Sequence, residues 1–488
     1  MNQIEPYIVE AGNWIANYLL IPLLLIIALW MTYKTRGVQF RMFREMCRLL
    51  VAKRPKPSSM HEGSHYGRNA LSSFQAFMVS VASHVGTGNL AGVATAITLG
   101  GPGAIFWMWV IALLAAAASF VECTLAQIFK VPDGKGGFRG GPAYYISRGI
   151  GSRAWAILFA ILISLTFGFA YNSVQSNTIS QAFEASWGVP AIITTIALTV
   201  LTLVIIWGGI RSIARFSEWV VPIMAVAYVI VSLIIIVMNI DRLPDCFVLI
   251  VQSAFGIDQV IGGSIGMALA IGIRRGLFSN EAGEGSAPNA AATANVSHPV
   301  KQGLVQALGV YTDTILICTC TAFIILLSGV STSDAEGITL TQRAIDAGFN
   351  TGGIGATFIS IAVFFFAFTS IVANYYYGET NIRFISPKRY WVVVYRLAVG
   401  GMVFLGGMST LGIVWSLADI TMSLMALCNI FALVVLGKYA FRALRNYTKL
   451  RSEGRNPVYY RETNPEIAHI TKCWPSISGS SQSTDKKE

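Results

Sequence analysis

Ser83-His84-Val85-Gly86-Thr87-Gly88-Asn89 stands near the middle of an otherwise apolar run, residues 70–98, and reading it decides the fold. A helix interior loses about 1 kcal/mol for each glycine relative to alanine. In hydrocarbon, each backbone N–H or C=O that loses its partner costs several kcal/mol. A break at this depth therefore requires something that satisfies the freed groups. The half-helix ending near Val85 leaves carbonyls exposed, which suits a cation, and the half-helix beginning near Asn89 presents N–H groups, which suits a carboxylate. Gly86, Gly88 and Gly92 also invite reading as a small-residue packing face, but their i, i+2, i+6 spacing fits such a face poorly.

Composition supplies the hydrocarbon. The chain has 488 residues, of which 54% are hydrophobic and only 12% charged, with mean hydropathy +0.60. Soluble domains carry roughly 25% charged residues, so the expectation is an all-α polytopic membrane protein. Apolar segments run 17–33, 70–98, 104–129, 153–180, 190–209, 217–239, about 258–280, 303–328, 354–378, 390–407 and 409–436. Eleven spans follow at roughly 20 to 25 residues each. No lysine or arginine precedes the first, so it reads as a retained span and not as a cleaved signal.

Threading eleven spans with the N-terminus outside puts 33 of the 35 lysines and arginines on one side, leaving Arg242 and Arg343 on the other. That bias predicts N-out, C-in topology, in a bacterial-type plasma (inner) membrane. It also reassigns the net charge of +11 from nucleic-acid binding to topology, and no nucleic-acid motif is present. The seven cysteines fall mostly in spans or on the basic side, so no disulfide framework is expected.

After a first unit, 1–69, holding one helix and a basic linker, residues 70–239 and 258–436 each hold five spans. Five is odd, so the halves must have opposite topology, the inverted-repeat arrangement of secondary transporters. Between them lies an outer segment, 240–257, too short to cross, and a polar cytoplasmic tail, 437–488, follows, with disorder expected beyond about 475. A second short outer stretch, 331–353, has helical spacing. The second half carries its own interruption, from Gly262-Gly263, Gly266, Gly272 and Gly276 through Asn280-Glu281-Ala282-Gly283-Glu284-Gly285, with depth favouring 266–276 as the unwound point.

Gly100-Gly101-Pro102-Gly103-Ala104-Ile105-Phe106-Trp107-Met108-Trp109 resembles the signature segment of the alanine or glycine:cation symporters, also called sodium:alanine symporters. VGTGNLAGVATAI (85–97), GGPAYYI (140–146), RRGLFSNEAGEGSAPNAA (274–291) and WSLADI (415–420) are similarly family-like. One departure is Ala115, where the signature usually closes with glycine. The resemblance implies a LeuT-like five-plus-five fold with one extra N-terminal helix and discontinuous first and sixth core helices. It also implies cotransport of alanine or glycine with sodium as the coupling ion. Carried over, the Thr87 and Gly88 amides would hold the substrate carboxylate. The Ala82 and Val85 carbonyls would face sodium, and Asn89 would support the pocket or a second cation site. Phe368-Thr369-Ser370 in the eighth core span resembles the Thr-Ser pair of that sodium site, with a third carbonyl from near Phe366.

Asp313 lies inside span 303–328, where a carboxylate is a functional candidate by default: a second cation site, a proton-linked residue or a latch. It could equally be a hydrogen-bonded structural acid. His84 reads as a packed neutral imidazole before a proton relay. Glu122 and Asp419 are expected nearer the cytoplasmic half, pairing with arginines there, Arg211 or Arg215 being candidates, as a gate, and Glu281 and Glu284, beside Arg274 and Arg275, are candidates for an inner gate or for capping. Phe167, Phe169, Gln175, Phe278 and Trp415 are the expected pocket walls. The leading function is sodium-coupled symport of a small neutral amino acid. Proton coupling or a glutamine substrate are alternatives on the same fold. A channel would favour a continuous polar path, and no catalytic constellation of an enzyme is present. No protein partner can be deduced.

Overall fold

Polar side chains such as Asn89, Asp313 and Glu284 are fully buried, while Val204, Trp219 and Ile223 on the outer helices are more than 60% exposed. That distribution suits a solvent of lipid. The computed structural model describes residues 10, 12, 14–52, 69–256, 265–332, 335–349, 352–471 and 473–477.

In chain order the described helices begin with α1 (Ile15–Lys34), α2 (Phe43–Leu50), α3 (Ser73–His84), α4 (Gly88–Gly100) and α5 (Gly103–Ile128). A short antiparallel hairpin follows, β1 (Val131–Pro132) and β2 (Phe138–Arg139). Next come α6 (Arg153–Trp187), α7 (Ala191–Ile206), α8 (Gly209–Met238) and α9 (Leu243–Ala254). Then follow α10 (Ile265–Asn280), α11 (Ala287–Ala291), α12 (Pro299–Ser328), α13 (Gly337–Phe349), α14 (Ile354–Ile385), α15 (Arg389–Gly407) and α16 (Leu411–Ser452), with further short helical turns left unnumbered, Pro142–Tyr145 among them. Eight of these, α1, α5, α6, α8, α12, α14, α15 and α16, are long and apolar enough to cross a membrane, and α4 and α7 are shorter apolar helices. Both short stretches between apolar segments, 240–257 and 331–353, contain helices, α9 and α13.

Local chemistry sets the ends of the central helices. Ser72 caps α3 by accepting from the Gln75 amide at 3.0 Å, and the Gln75 side chain accepts from the Ser72 amide at 3.1 Å, a reciprocal capping box. His298 caps α12, its Nδ1 accepting from the Val300 amide at 3.2 Å. The centre is α5, whose run Ala115–Ala118 is fully buried, and α10 and α12 pack along it.

The glycines 266–276 do not form the second break. Helix α10 runs unbroken through them, because Gly272 and Gly276 are where it meets α5. A Cβ on Gly272 would stand 2.7 Å from the Trp107 Cβ and strike the Ala104 carbonyl, and one on Gly276 would stand 2.8 Å from Ile111. Gly262 and Gly263 lie outside the described residues. The interruption falls later, at 281–286, between α10 and α11.

The tail departs from the expected polar extension. Helix α16 continues to Ser452, and the chain then folds back under the bundle. The Tyr459 amide donates to the Ser297 carbonyl at 2.9 Å, Arg148 donates to the Ile470 carbonyl at 2.7 Å, and the Trp474 indole donates to the Gln127 carbonyl at 3.0 Å. Residues 478–488, where disorder is expected, lie outside the described residues.

Candidate functional site

Helix α3 ends at His84 and α4 starts at Gly88, so the carbonyls of Ala82 and Val85 find no helical partner ahead of them. Ser370 on α14 reaches them. Its Oγ lies 2.9 Å from the Ala82 carbonyl oxygen, 3.5 Å from that of Val85 and 3.0 Å from that of Phe366. Thr369 Oγ1 lies 2.9 Å from the same Phe366 carbonyl. Ser370 Oγ and three carbonyls thus converge between α14 and the first break, with Thr369 Oγ1 joining them at the Phe366 carbonyl, a set of neutral oxygens suited to a hard monovalent cation. The approach depends on Gly86, since a Cβ there would collide with Ser370 Oγ and stand 2.9 Å from Gln175 Oε1.

The amides of the break point the other way. Gly86 N–H donates to Asn89 Oδ1 at 2.9 Å, and Thr87 N–H donates to Gln175 Oε1, from α6, at 3.0 Å. The Gln175 carboxamide oxygen therefore satisfies an amide that the helix break leaves free. Thr87 Oγ1 is buried without a hydrogen-bond partner beside it.

The second break adjoins the first. A Cβ on Gly88 would stand 3.1 Å from Phe278 and 3.2 Å from the Ser279 backbone. The chain leaves α10 through Glu281 at φ +52°, Gly283 at +87° and Gly285 at +92°, left-handed backbone that suits glycine and strains glutamate. Three buried carboxylates surround this turn. Glu281 accepts from Ser83 and Ser286, each at 2.6 Å, with His84 Nε2 at 3.6 Å. Glu284 accepts from Tyr171 at 3.1 Å, and Glu122 accepts from the Gly283 amide at 3.2 Å and from Asn429 at 3.0 Å. Asp313, on α12, accepts from Asn89 at 2.6 Å, Ser279 at 2.7 Å and Thr314 at 2.8 Å, joining both breaks.

An aromatic layer covers the breaks. Phe278 lies between Tyr171, at 4.5 Å, and Trp415, at 4.6 Å between ring centroids. The Arg275 guanidinium sits 4.3 Å from the Trp415 ring and pairs closely with Asp419. Trp415 Nε1, Arg275 Nη1 and Asp419 Oδ1 are buried without hydrogen-bond partners. Orphaned donors and acceptors this close to two open helix ends are what a polar solute would satisfy.

Residues 1–461 match the family described as the sodium:alanine symporter family. The chain belongs to that family. It is 46% identical over the full length of both chains to the probable sodium/glutamine symporter GlnT of Bacillus subtilis (strain 168). It is 49% identical to the amino-acid carrier protein AlsT of the same organism, over 90% of this chain and 92% of that one. Among solved structures it is similar in fold to MhsT, crystallised in complex with L-phenylalanine, with a TM-score of 0.51, 13% identity, and 78% of this chain and 97% of the other covered. The sodium:alanine symporters are multi-pass membrane transporters of the LeuT-like fold, not enzymes.

In this symporter-family chain, most residues singled out from the sequence meet at the two breaks: Ala82, Val85, Thr87, Gly88, Asn89, Gln175, Phe278, Asp313, Thr369, Ser370 and Trp415. Phe169 packs instead on Tyr395 of α15, and Phe167 packs between Tyr171 and Tyr377. Asp419 does pair with arginines, as expected, but not with Arg211 or Arg215, and Glu122 pairs with none among the described residues. Asp419 pairs with Arg275 and Arg274, and Glu122 holds the second break through Gly283 and Asn429. Arg274 and Arg275, counted with the basic loops, are buried within α10 at 6% and 4% exposure. Ser83 and Ser279 stand inside quoted motifs but carry no role in the sequence reading, and Tyr171 has no mention there. Hydroxyls carry no sequence signal of which partner they face.

Proposed function

We propose that this protein carries a small neutral amino acid, alanine or glycine, into the cell together with sodium, by alternating access around the two interrupted helices. The observation that carries this reading is the contact of Ser370 with the carbonyls of Ala82, Val85 and Phe366. A cation held by those oxygens and by Thr369 would tie α14 to α3. The same break would offer the Thr87 and Gly88 amides to the substrate carboxylate once Gln175 withdraws. Ion and substrate would thus stabilise one arrangement of the break, which is the physical content of coupling. Asp313, bonded to Asn89 and Ser279, would serve a second cation beside the substrate. The proposed topology is eleven spans, N-out and C-in, with a single helix preceding two inverted five-helix halves in a bacterial-type plasma membrane.

Glutamine is the second reading of the substrate. The full-length likeness to a protein named a sodium/glutamine symporter favours it. So do the unpartnered Trp415 Nε1 and Asp419 Oδ1, which could receive a side-chain carboxamide. The test is uptake of labelled alanine into proteoliposomes at fixed pH, with sodium or potassium outside, in competition with glycine and glutamine. Sodium-dependent uptake inhibited by glycine supports the leading reading. Uptake that is unchanged in potassium but follows an imposed proton gradient replaces sodium with protons, and stronger inhibition by glutamine than by alanine replaces the substrate.

A further inference from the structure

A cavity of about 420 Å³ opens beside the hairpin β1–β2, far in sequence from both breaks, and five cations line it: Lys135, Arg139, Arg383, Arg389 and Arg396. Two acidic residues share the lining, Asp133 and Glu379. Glu379 is already held by Arg383 at 2.6 Å and by Arg396 at 3.7 Å. The Asp133 carboxylate is turned into its own hairpin, accepting from the Lys135 and Gly137 amides at 2.6 and 2.8 Å. Among the described residues no carboxylate lies within ion-pair distance of Lys135, Arg139 or Arg389. The cavity therefore keeps a surplus of three positive charges around one concave space.

Its place in the fold says what kind of anion fits. The cavity sits where α7 gives way to α8 and where α15 begins, at the ends of apolar helices. Trp207, on its wall, is 49% exposed, and Tyr390 and Trp391, beside Arg389, are 67% and 50% exposed. Exposed aromatics at helix ends mark the headgroup level of a bilayer. Above it, α7 and α15 pack closely, Gly400 against Leu203, and present Val204 and Leu397, at 68% and 55% exposure, along their seam. An apolar seam and a cationic cavity at headgroup depth on the same pair of helices have the chemistry of one amphiphile.

We propose that this cavity binds the phosphodiester headgroup of an anionic glycerophospholipid, whose acyl chains lie along the α7–α15 seam. Lys135, Arg139 and Arg389 meet the phosphate, and Arg396, stacked 5.4 Å from the Trp207 ring, backs the site. The ligand is a lipid and not a free phosphate ester because Trp207 and Val392, on the cavity wall, belong to the ends of the same two helices, α7 and α15, whose exposed apolar seam acyl chains would cover.

Native mass spectrometry of the full chain, released from mixed micelles containing phosphatidylglycerol and phosphatidylcholine, tests this. Preferential retention of phosphatidylglycerol is expected, weakened about fivefold by Arg389→Gln and about a hundredfold by the triple variant Lys135→Gln, Arg139→Gln, Arg389→Gln. Arg389→Lys should restore most of the preference, and Arg445→Gln with Lys449→Gln, which remove exposed cations on α16, should leave it unchanged. The thermal midpoint in phosphatidylcholine alone verifies that each variant is folded. Equal retention of the two lipids, equal retention by parent and triple variant, or displacement of the lipid by millimolar glycerol phosphate would overturn the proposal.

Discussion

The hydroxyl of Ser370 lies 2.9 Å from the Ala82 carbonyl oxygen, a contact between residues 288 positions apart that joins α14 to the end of α3. Removing that hydroxyl takes one of five oxygens from the proposed cation site. A hydrogen bond or ligand to a charged group is worth about 1.5–3 kcal/mol, so Ser370→Ala and Thr369→Ala should each raise the half-saturating sodium concentration roughly ten- to a hundredfold. Maximal uptake at saturating sodium should persist. Initial uptake rates across a sodium series measure this, and an unchanged sodium curve would place the ion elsewhere.

Gln175 accepts from the Thr87 amide, the group assigned to the substrate carboxylate. Gln175→Glu keeps the shape and fixes a carboxylate there. Substrate binding should fall by roughly a hundredfold, about the 2–3 kcal/mol of a displaced charge-assisted bond, and sodium binding should survive. Scintillation proximity binding of labelled alanine, with sodium binding measured on the same variant, separates the two effects.

Asp419 neutralises Arg275 inside the bundle, where both are more than 90% buried. Asp419→Asn leaves the guanidinium without its counter-charge and should destabilise the protein by about 3–5 kcal/mol, whereas Arg275→Met together with Asp419→Leu should recover part of that, the remainder reflecting Arg274, which also faces Asp419 at 3.5 Å. Thermal midpoints in detergent for the parent, the single and the double variant report it. Additive losses would show that the two residues act separately.

Lys130, just beyond the end of α5, is buried beneath the tail. Its amine donates to Gln127 Oε1 at 2.8 Å, with the Phe138 and Trp474 rings 4.1 and 4.6 Å away. Burial lowers its pKa from 10.5 to about 7. Release of residues 455–477 would return it to water and to its ordinary value, so the released state binds more protons between about pH 7 and 10.5. Docking of the tail should therefore strengthen as pH rises through that window and be weaker and level below it. Proteolysis within 455–477 should slow from pH 7 to pH 9, and Lys130→Met should remove the trend.

The helices and the first break were legible because each has a local cause. Long apolar runs must satisfy their own backbone in lipid, and Gly86 and Gly88 stand alone in mid-span with polar neighbours on both sides. The second break was displaced because glycine has two uses in membranes. Gly272 and Gly276 weaken α10 locally as much as a hinge would, but they face α5, and close packing repays the cost. Arg274 and Arg275 were misread for a related reason, since their partner Asp419 lies about 144 positions away and nothing near them in the chain announces it.

By itself the sequence determined that the chain is a helical membrane protein of this family, broken at Val85–Gly88, with Thr369 and Ser370 as candidate ion ligands. Periodicity, hydropathy and backbone satisfaction act over a few residues and can be read in order. Only the tertiary structure decided which glycines unwind and which pack, and that Gln175 holds the Thr87 amide. It also decided that Asp313 links Asn89 to Ser279, and that a cationic cavity forms between the hairpin and α15. Each of these depends on side chains from distant helices meeting in a low-dielectric interior, where the partner, and not the residue type, sets what a polar group costs or does.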